Sequence, residues 1–293
     1  MNLGKPNSTV DNPTAEESTP LVFEEEEVDT EPSRAALCLV GSLWTARPFN
    51  AQALMRTQKQ VWRPTHDVEI HQLDRNLFIF QFFHWQDKER VLEQEPWNFD
   101  NQILLLKNLE GDEQSSAINL THVPLWVRAY DIPLHLRKPK FIELLGSKAG
   151  QFTQLDTDRD LQMSKFARMR ISKDVRTPLI RGFIVTLKNG SLGWVYFKYE
   201  RLPWFYFHCG CIGHLLRDCT KIDPDDLQNP ALVPYTDEIR ASPLRKPRGE
   251  PNPIPNTNTA CRKLVFRPPG SSISKTSYGI PGNVDTQSNI HTH

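Results

Sequence analysis

The stretch Asp74-Arg75-Asn76-Leu77-Phe78-Ile79-Phe80-Gln81-Phe82-Phe83 decides the fold of the first half of this chain. Asp74 to Asn76 has the composition of a tight turn, and Leu77 to Phe83 is a strongly apolar run that favours a strand. Before the turn, Val68 to Leu73 alternates apolar and polar residues, which is typical of a half-buried strand. The stretch therefore predicts two consecutive strands joined by a turn.

The flanking residues complete a recognisable order of elements. Residues 36–41 form a short apolar run that predicts a buried strand, and Asn50 is placed to cap a helix. Asp87 is placed to cap a second, shorter helix, and residues 102–107 predict a last strand. Residues 34–112 thus predict a β-α-β-β-α-β domain, the split βαβ or ferredoxin-like arrangement that RNA-recognition modules also use.

The rest of the chain divides by composition. Residues 1–33 predict a disordered acidic arm, because a run of four glutamates repels itself and resists packing. Residues 120–201 predict a second α+β unit with an antiparallel sheet, and residues 202–220 predict a zinc knuckle. Residues 221–293 are rich in Pro, Ser and Asn and predict a disordered tail.

The bulk composition excludes several classes. Lysine plus arginine and aspartate plus glutamate both number 35, so net charge implies no partner by itself. The sequence has no long apolar run that would predict a membrane span, and its N-terminus lacks the apolar core of a signal peptide. We therefore expect an intracellular protein, nuclear or cytoplasmic. The sequence has no phosphate-binding loop, dinucleotide-binding glycine pattern or nucleophile elbow, so we expect no enzyme and no small-molecule substrate.

The first predicted sheet lacks the stacking residues of an RNA platform. Alternation places Phe78, Phe80 and Phe82 on the helix-facing side, where they are expected to form the core. Leu77, Ile79 and Leu39 are assigned to the opposite, base-stacking positions, and none is aromatic. Because that face is apolar too, we expect it to pack on another segment.

A basic strand in the second unit is a candidate binding surface. Phe166, Arg168 and Arg170 alternate with apolar residues and share one strand face. An aromatic ring beside two guanidinium groups suits base stacking with phosphate contact. An ordinary charged outer face is the alternative.

The predicted knuckle has three of its four metal ligands. Cys209, His214 and Cys219 follow the spacing Cys-x4-His-x4-Cys, and three of the five cysteines lie within residues 209–219, which indicates metal chemistry. Tyr206 stands where the first Cys of a Cys-x2-Cys-x4-His-x4-Cys pattern belongs. The candidate fourth ligands are Cys211 and His208. The alternative is a degenerate, metal-free knuckle held by its aromatic residues.

Aromatic and apolar residues accompany the ligands. Phe207 follows Tyr206, the first ligand position, and Leu215 follows His214. These two residues would form a small surface for an unpaired base, and Arg217 is close by in sequence. The alternative is that the aromatic residues dock the knuckle onto the preceding unit.

These segments carry a family resemblance over residues 35–220. The chain resembles a large plant family that joins an N-terminal domain of unknown function to a zinc knuckle and is derived from the nucleic-acid-binding protein of LINE-type retrotransposons. The resemblance implies zinc and nucleic-acid binding, with Cys209, His214 and Cys219 as ligands, and it implies no catalysis. The residues that carry it, besides the knuckle, are Val40-Gly41-Ser42-Leu43, Arg47-Pro48-Phe49-Asn50, Trp62-Arg63-Pro64, Asn76 to Phe82, Pro96-Trp97-Asn98-Phe99-Asp100, Val123-Pro124-Leu125-Trp126-Val127 and Phe197 to Pro203.

Together the residues and the resemblance predict a non-enzymatic zinc-knuckle protein that binds single-stranded RNA or DNA. The alternative is a metal-free copy that acts as a protein-interaction or self-association module. Nucleic-acid binding through phosphates weakens steeply with salt, whereas an apolar protein interface does not, so salt dependence discriminates the two.

Overall fold

The computed structural model describes residues 34–109, 114, 118–158, 160–213, 219 and 234–243. They form two five-stranded antiparallel sheets with three α-helices, which confirms the α+β class. The predicted acidic arm and most of the predicted tail lie outside the described residues. Among the described residues, no helix has both the length and the apolarity needed to cross a bilayer.

The elements follow the predicted order closely. The first unit contains β1 (Cys38–Trp44), α1 (Ala51–Trp62), β2 (Val68–Asp74), β3 (Leu77–Phe82), α2 (Trp85–Glu93), β4 (Trp97–Phe99) and β5 (Gln102–Asn108). The second contains β6 (His122–Tyr130), α3 (Pro139–Ala149), β7 (Gln151–Leu155), β8 (Phe166–Asp174), β9 (Gly182–Thr186) and β10 (Leu192–Tyr199). Short 3₁₀ turns lie at Arg34–Leu37, Leu134–Leu136 and Asp237–Ile239.

The first sheet has the strand order β2-β3-β1-β5-β4. Without the short β4, this is the order of a split βαβ domain, with the first and third strands at the centre. The ferredoxin-like prediction is therefore confirmed. β4 was not predicted; it pairs with the outer edge of β5 over three residues.

The second sheet repeats the same order, β7-β8-β6-β10-β9. It has a counterpart for each strand of the first sheet, and α3 corresponds to α1. It lacks a counterpart of α2, because β8 is followed directly by residues 175–181 and the β9–β10 hairpin. The two units are thus one topology used twice, with one helix omitted from the second copy.

The core of the first unit lies between its sheet and its helices. Phe78, Phe80 and Phe82 are fully buried there, as predicted, and the Trp62 ring packs edge-on against Phe80 at 4.9 Å. Leu39 was assigned to the opposite face, and that assignment is wrong. Leu39 pairs with Phe80 across the sheet and shares its face, since directly paired residues point the same way.

The two helix caps had different outcomes. Asn50 caps α1 as predicted, because its side-chain oxygen accepts the Ala53 N–H at 3.0 Å. Asp87 does not cap α2; the capping side chain is His84. The Asp87 carboxylate instead lies buried inside the first turn and accepts the backbone N–H groups of Thr65 and His66, both at 2.9 Å.

The outer face of the first sheet is covered on its β5 side, whereas Leu77 and Ile79 of β3 on the same face are only half-buried. Ile103 and Leu105 of β5 are fully buried and belong to the hydrophobic cluster of the second unit. Trp44 packs against the same cluster, and its indole N–H donates to the Ile212 carbonyl at 3.0 Å. The β5 side of the first sheet therefore packs in one cluster with the second unit and the knuckle segment, separate from the core between the first sheet and its helices.

The knuckle segment and a piece of the tail cover the second sheet where a second helix is missing. Phe205, Ile212 and Ile239 are buried in the same cluster as Phe197 and Tyr199 of β10. Ile239 belongs to residues 234–243, which the composition assigned to the disordered tail, so that assignment is corrected for this segment. Composition averages over the many polar neighbours, whereas a single apolar side chain is enough to fill one site in a core.

A buried carboxyl group lies where the first unit meets the second. Burial raises the pKa of Glu95 to about 8, although the nearby charge of Arg170 acts in the opposite direction. The Glu95 Oε1 atom has no hydrogen-bond partner. The carboxyl group is therefore neutral in the folded chain at neutral pH.

We predict that Glu95→Gln removes a pH dependence of stability. The folded chain keeps this proton up to pH about 8, while the unfolded chain loses it near the ordinary value of 4.5. The contribution of the Glu95 proton to the free energy of unfolding is thus fully present below pH 4.5, and it is lost as the pH rises towards 8. At pH 8 the variant should be more stable than the parent, by on the order of a few kcal/mol, and the two should be alike at pH 4.5.

Urea denaturation at both pH values measures the difference. The matched control is Glu93→Gln, because Glu93 is an exposed glutamate two positions away. An equal effect of the two variants at pH 8 would contradict a proton held by burial at Glu95.

Candidate nucleic-acid interface

The knuckle begins as a tight hairpin. Phe205 and Ile212 form an antiparallel bridge, and the Tyr206 N–H donates to the Cys211 carbonyl at 3.0 Å. Inside the turn, the Gly210 N–H donates to the Tyr206 carbonyl at 2.7 Å. These bonds hold residues 206–211 in a compact loop that presents Cys209 at its tip.

Two glycines make this loop possible. Gly210 and Gly213 have φ of +68° and +83°, which side chains with a Cβ rarely adopt. A Cβ on Gly210 would lie 2.1 Å from the Tyr235 ring, and one on Gly213 would lie 2.3 Å from the Trp44 ring. The sequence indicated the need for permissive backbone here, and the structure adds that both positions lie against aromatic rings.

The candidate metal ligands differ in their surroundings. Cys209 is half-buried and its sulfur accepts the Cys211 N–H at 3.4 Å. A hydrogen bond with Cys211, together with burial, raises the pKa of the Cys209 thiol. Cys219 is also half-buried, whereas His214 lies outside the described residues.

Cys211 faces the protein interior. Its side chain is 4% exposed, and its single S–H group has two carbonyl acceptors within reach, that of Arg176 at 3.7 Å and that of Cys209 at 3.8 Å. A thiol with two carbonyl acceptors is satisfied where it lies, so Cys211 does not need a metal to explain its burial.

Tyr206 occupies the corner that an ordinary knuckle gives to a Cys. Burial raises the pKa of its phenol, and the charges of Cys219 and Cys209 act in the same direction. The His208 ring stacks on Tyr206 with centroids 5.4 Å apart. Tyr206 therefore fills the missing corner with a neutral side chain.

These residues fit a zinc ion that has fewer protein ligands than a standard structural site. Cys209 and Cys219 supply thiols to the same locality, and their spacing with His214 suits tetrahedral zinc. Within the part of the chain that the structure describes, no group of three metal-binding side chains converges. A bound zinc would connect the ligand residues Cys209, His214 and Cys219.

The predicted base-stacking residues lie partly within the described chain. Phe207 is 37% exposed, and its ring meets Phe205 edge-on with centroids 5.1 Å apart. Phe205 is the ring that docks into the core, since it is only 7% exposed. Leu215 and Arg217 lie outside the described residues.

Phe166, Arg168 and Arg170 share the outer face of the second sheet, opposite α3, as their alternation predicted. Arg168 binds the Glu200 carboxylate through two nitrogens at 3.0 and 2.9 Å, and it stacks over the Trp126 ring at 3.6 Å. Arg170 donates to the Leu92 carbonyl of the first unit at 2.7 Å. Both arginines therefore already have acceptors within the chain, and their contact with phosphates stays a prediction.

Glu200 organises the charges of this face. Burial opposes its ionisation, but hydrogen bonds from Arg168 and Arg128 outweigh burial and hold the pKa of Glu200 below its ordinary value. The Arg128 Nε–H donates to Glu200 at 2.6 Å. One carboxylate thus balances part of the charge of a buried guanidinium group, Arg128, and of a half-buried one, Arg168.

Sequence reasoning missed other residues on the same face. Tyr130, Tyr196 and Lys198 lie in register with Phe166 and Arg168 across the sheet. Each is an outward position of a strand whose inward positions are apolar, so the alternation within residues 122–130 and 192–199 was a signal that could have found them.

Comparison with known families supports this architecture. Residues 32–116 match the sequence model of a domain of unknown function (DUF4283), and residues 173–221 match that of a zinc knuckle. The chain therefore carries a DUF4283 domain followed by a zinc knuckle. The knuckle match begins at the end of β8, which agrees with a knuckle built into the second unit. A comparison with curated proteins gave no match.

Among solved structures, the chain is similar to tandem RNA-recognition proteins. A Sxl-lethal protein/RNA complex shares 13% identity with a TM-score of 0.23, over 56% of this chain and 98% of that one. Sex-lethal RNA recognition domains 1 and 2 from Drosophila melanogaster share 15% identity with a TM-score of 0.21, over 47% and 86%. The first two RRM domains of the yeast poly(U)-binding protein Pub1 share 11% identity with a TM-score of 0.20, over 55% and 98%. All three TM-scores lie below 0.5, so these similarities assign no function to this chain.

We predict that Tyr206→Cys tightens zinc binding. The change supplies a thiolate at a corner that already lies close to Cys209 and Cys219, and structural zinc prefers four such ligands. Competition with a chelator measures the affinity. The matched control is Cys211→Ser, which should leave zinc retention unchanged because the Cys211 thiol is already satisfied inside the protein. Loss of zinc in Cys211→Ser would make Cys211 the fourth ligand instead.

Proposed function

We propose that this chain is a non-enzymatic protein of retrotransposon origin that binds single-stranded nucleic acid through its zinc knuckle. The observation that carries the proposal is the knuckle itself. Residues 173–221 match a zinc knuckle, and the hairpin at 205–212 presents the exposed Phe207 ring beside Cys209. The origin rests on the family resemblance, and the absence of catalysis rests on the lack of enzyme motifs in the sequence.

The geometry favours unpaired bases. Phe205 anchors the hairpin in the core, while Phe207 extends from the same strand face towards solvent with its ring braced edge-on by Phe205. A braced, exposed ring gives a base a rigid stacking surface at little cost in side-chain entropy. A base inside a duplex is already stacked on both faces, so a single exposed ring selects single strands.

The metal has a supporting role in this proposal. Zinc, held by Cys209, His214 and Cys219, would stiffen the loop beside Phe207. The hairpin bonds, the two glycines and the burial of Phe205 and Ile212 hold the first part of the loop independently of the metal. Removal of zinc should therefore weaken binding without unfolding the two sheets.

We predict that Phe207→Ala lowers the affinity for single-stranded RNA or DNA by about 1–3 kcal/mol, the range for loss of one base–aromatic stack. The salt dependence of binding should stay the same because no phosphate contact is lost. Fluorescence anisotropy with a labelled oligonucleotide, measured at several salt concentrations, tests both expectations.

The matched control is Trp204→Ala. Trp204 is a similarly exposed ring, 40% against 37%, and it precedes the 206–211 loop that contains Phe207. Melting temperatures of both variants complete the test. A lower melting temperature with unchanged affinity in Phe207→Ala would show that Phe207 is a docking residue.

Self-association is a second candidate function, and a separate surface favours it. β9 forms an edge of the second sheet, and its outward Ile184 is 63% exposed. Leu192, on the paired strand β10, is 69% exposed. An exposed apolar edge strand can pair with the same strand of a second copy.

We predict that Leu192→Lys shifts the chain towards the monomer, because a charge on an edge hairpin opposes strand pairing between copies. Light scattering coupled to size-exclusion chromatography measures the mass over a concentration series. The control variant is Lys188→Leu, which replaces a charged side chain by an apolar one in the β9–β10 turn, outside the paired strands. The same concentration dependence for the parent and Leu192→Lys would exclude this edge as the contact.

A further inference from the structure

The outer face of the second sheet carries two parallel rows of side chains across three neighbouring strands. Phe166 of β8 pairs with Tyr130 of β6, which pairs with Tyr196 of β10, and these form the aromatic row. Two residues further along, Arg168 pairs with Arg128, which pairs with Lys198, and these form the basic row. The rows lie about 7 Å apart along the strands, from the rise of about 3.4 Å per residue.

The aromatic row is a continuous surface of rings. The Tyr130 and Tyr196 rings are parallel within 4°, with centroids 5.1 Å apart. The Tyr130 and Phe166 centroids are also 5.1 Å apart. Tyr130 is nearly buried at 9% exposure between its neighbours, while Phe166 and Tyr196 are half-buried. The two outer rings are therefore more exposed than Tyr130, and the Arg128 guanidinium lies 4.9 Å from the centroid of the Phe166 ring.

Within the described part of the chain, Lys198 is the member of the basic row that has no carboxylate partner. Arg128 and Arg168 both bind Glu200, whereas Lys198 forms no ion pair with any described residue. The Lys198 ammonium lies 6.0 Å from the Tyr130 centroid and 5.9 Å from that of Tyr196. It is thus directed from the basic row towards the aromatic row, where it can reach a phosphate next to a stacked base.

Position within the fold supports a binding role. β6 and β8 are the counterparts of the two central strands of a split βαβ sheet, and the aromatic row lies on the face opposite α3. RNA-recognition modules stack bases on aromatic residues of the corresponding central strands and the same face. In the first sheet of this chain, the outward residues Ile103 and Leu105 of β5 are instead buried against the second unit. The second sheet therefore has the surface that the first sheet lacks.

We propose that the aromatic row and Lys198 form a second binding site for single-stranded nucleic acid, in which bases stack on Phe166 and Tyr196 and a phosphate contacts Lys198. This site rests on the proposed function but is separate from the knuckle surface at Phe207. Rings for base faces beside a cation for the backbone favour a nucleic acid over a protein partner, since an apolar protein surface would leave Lys198 desolvated without a partner.

The stacking part of the site is tested in the full-length protein with Tyr196→Ala and Tyr196→Phe. The affinity for a labelled oligo(U) or oligo(dT) should fall by about 5- to 100-fold in Tyr196→Ala, the loss expected for one base–aromatic stack. Tyr196→Phe keeps the ring and should bind like the parent. Equal loss in both variants would contradict stacking, and melting temperatures exclude misfolding as the cause.

The phosphate contact is tested with Lys198→Gln, which should lower the slope of log Kd against log salt by about one unit. Lys148→Gln removes the same charge from an exposed position on α3, on the other side of the sheet, and should leave the slope unchanged. An unchanged slope in Lys198→Gln would remove the lysine from the site.

Photo-crosslinking separates this proposal from the knuckle function. A photoreactive oligonucleotide should crosslink to peptides that contain Phe166 or Tyr196 as well as to the knuckle peptide. Crosslinks to the knuckle alone, with parent affinity in Tyr196→Ala, would overturn the second site and leave the proposed function intact. No binding by the parent at low salt would overturn both, and it would leave the aromatic row as a candidate surface for a protein.

Discussion

The first sheet is apolar on both faces, and this constraint shapes the rest of the molecule. One face is covered by α1 and α2 over the phenylalanines of β3. The other face cannot stay in water, because Ile103 and Leu105 would expose a large apolar patch. Its β5 side is buried in the cluster that also contains the core of the second unit and the knuckle hairpin. The two units therefore fold as one body with a shared core.

This shared core explains why the knuckle loop persists with one ligand corner occupied by Tyr206. Trp44 of the first unit donates to Ile212, and Phe205 and Ile212 fill the region of the second sheet that a missing helix leaves open. Tyr235 and Ile239 return from beyond the knuckle to the same region, where the Tyr235 hydroxyl donates to the Leu179 carbonyl at 2.8 Å. Packing thus performs part of the work that zinc performs in an isolated knuckle, where the metal supplies most of the folding free energy.

The repeated topology has divided two tasks between its copies. The first copy buries the helix side of its sheet and the β5 side of its outer face, and the outward residues Leu77 and Ile79 of its central strand β3 are not aromatic. The second copy buries one face under α3 and the knuckle and keeps the other, with its aromatic and basic rows, partly open. Glu200 makes that open face stable, since it is bound by Arg128 and Arg168 and lowers the repulsion between them. On the same face of the second sheet, Arg170 donates to the Leu92 carbonyl of the first unit. The first unit therefore contacts one end of this face.

The sequence by itself determined the local features of this protein. The order of strands and helices, the Asn50 cap, the helix-facing phenylalanines and the ligand spacing of the knuckle all follow from alternation, capping chemistry and residue type within a few positions. Only the tertiary structure decided which residues meet across strands. In the structure, Leu39 lies on the helix side of the first sheet, and Asp87 is a buried hydrogen-bond acceptor instead of a helix cap. Residues 234–243 pack on the second unit through Ile239. Arg168 binds Glu200, and strand pairing aligns Tyr130, Phe166 and Tyr196 in one row. The physical reason is that periodicity reports only the alternation of a strand, whereas the partners of a side chain depend on register and packing between segments far apart in the chain.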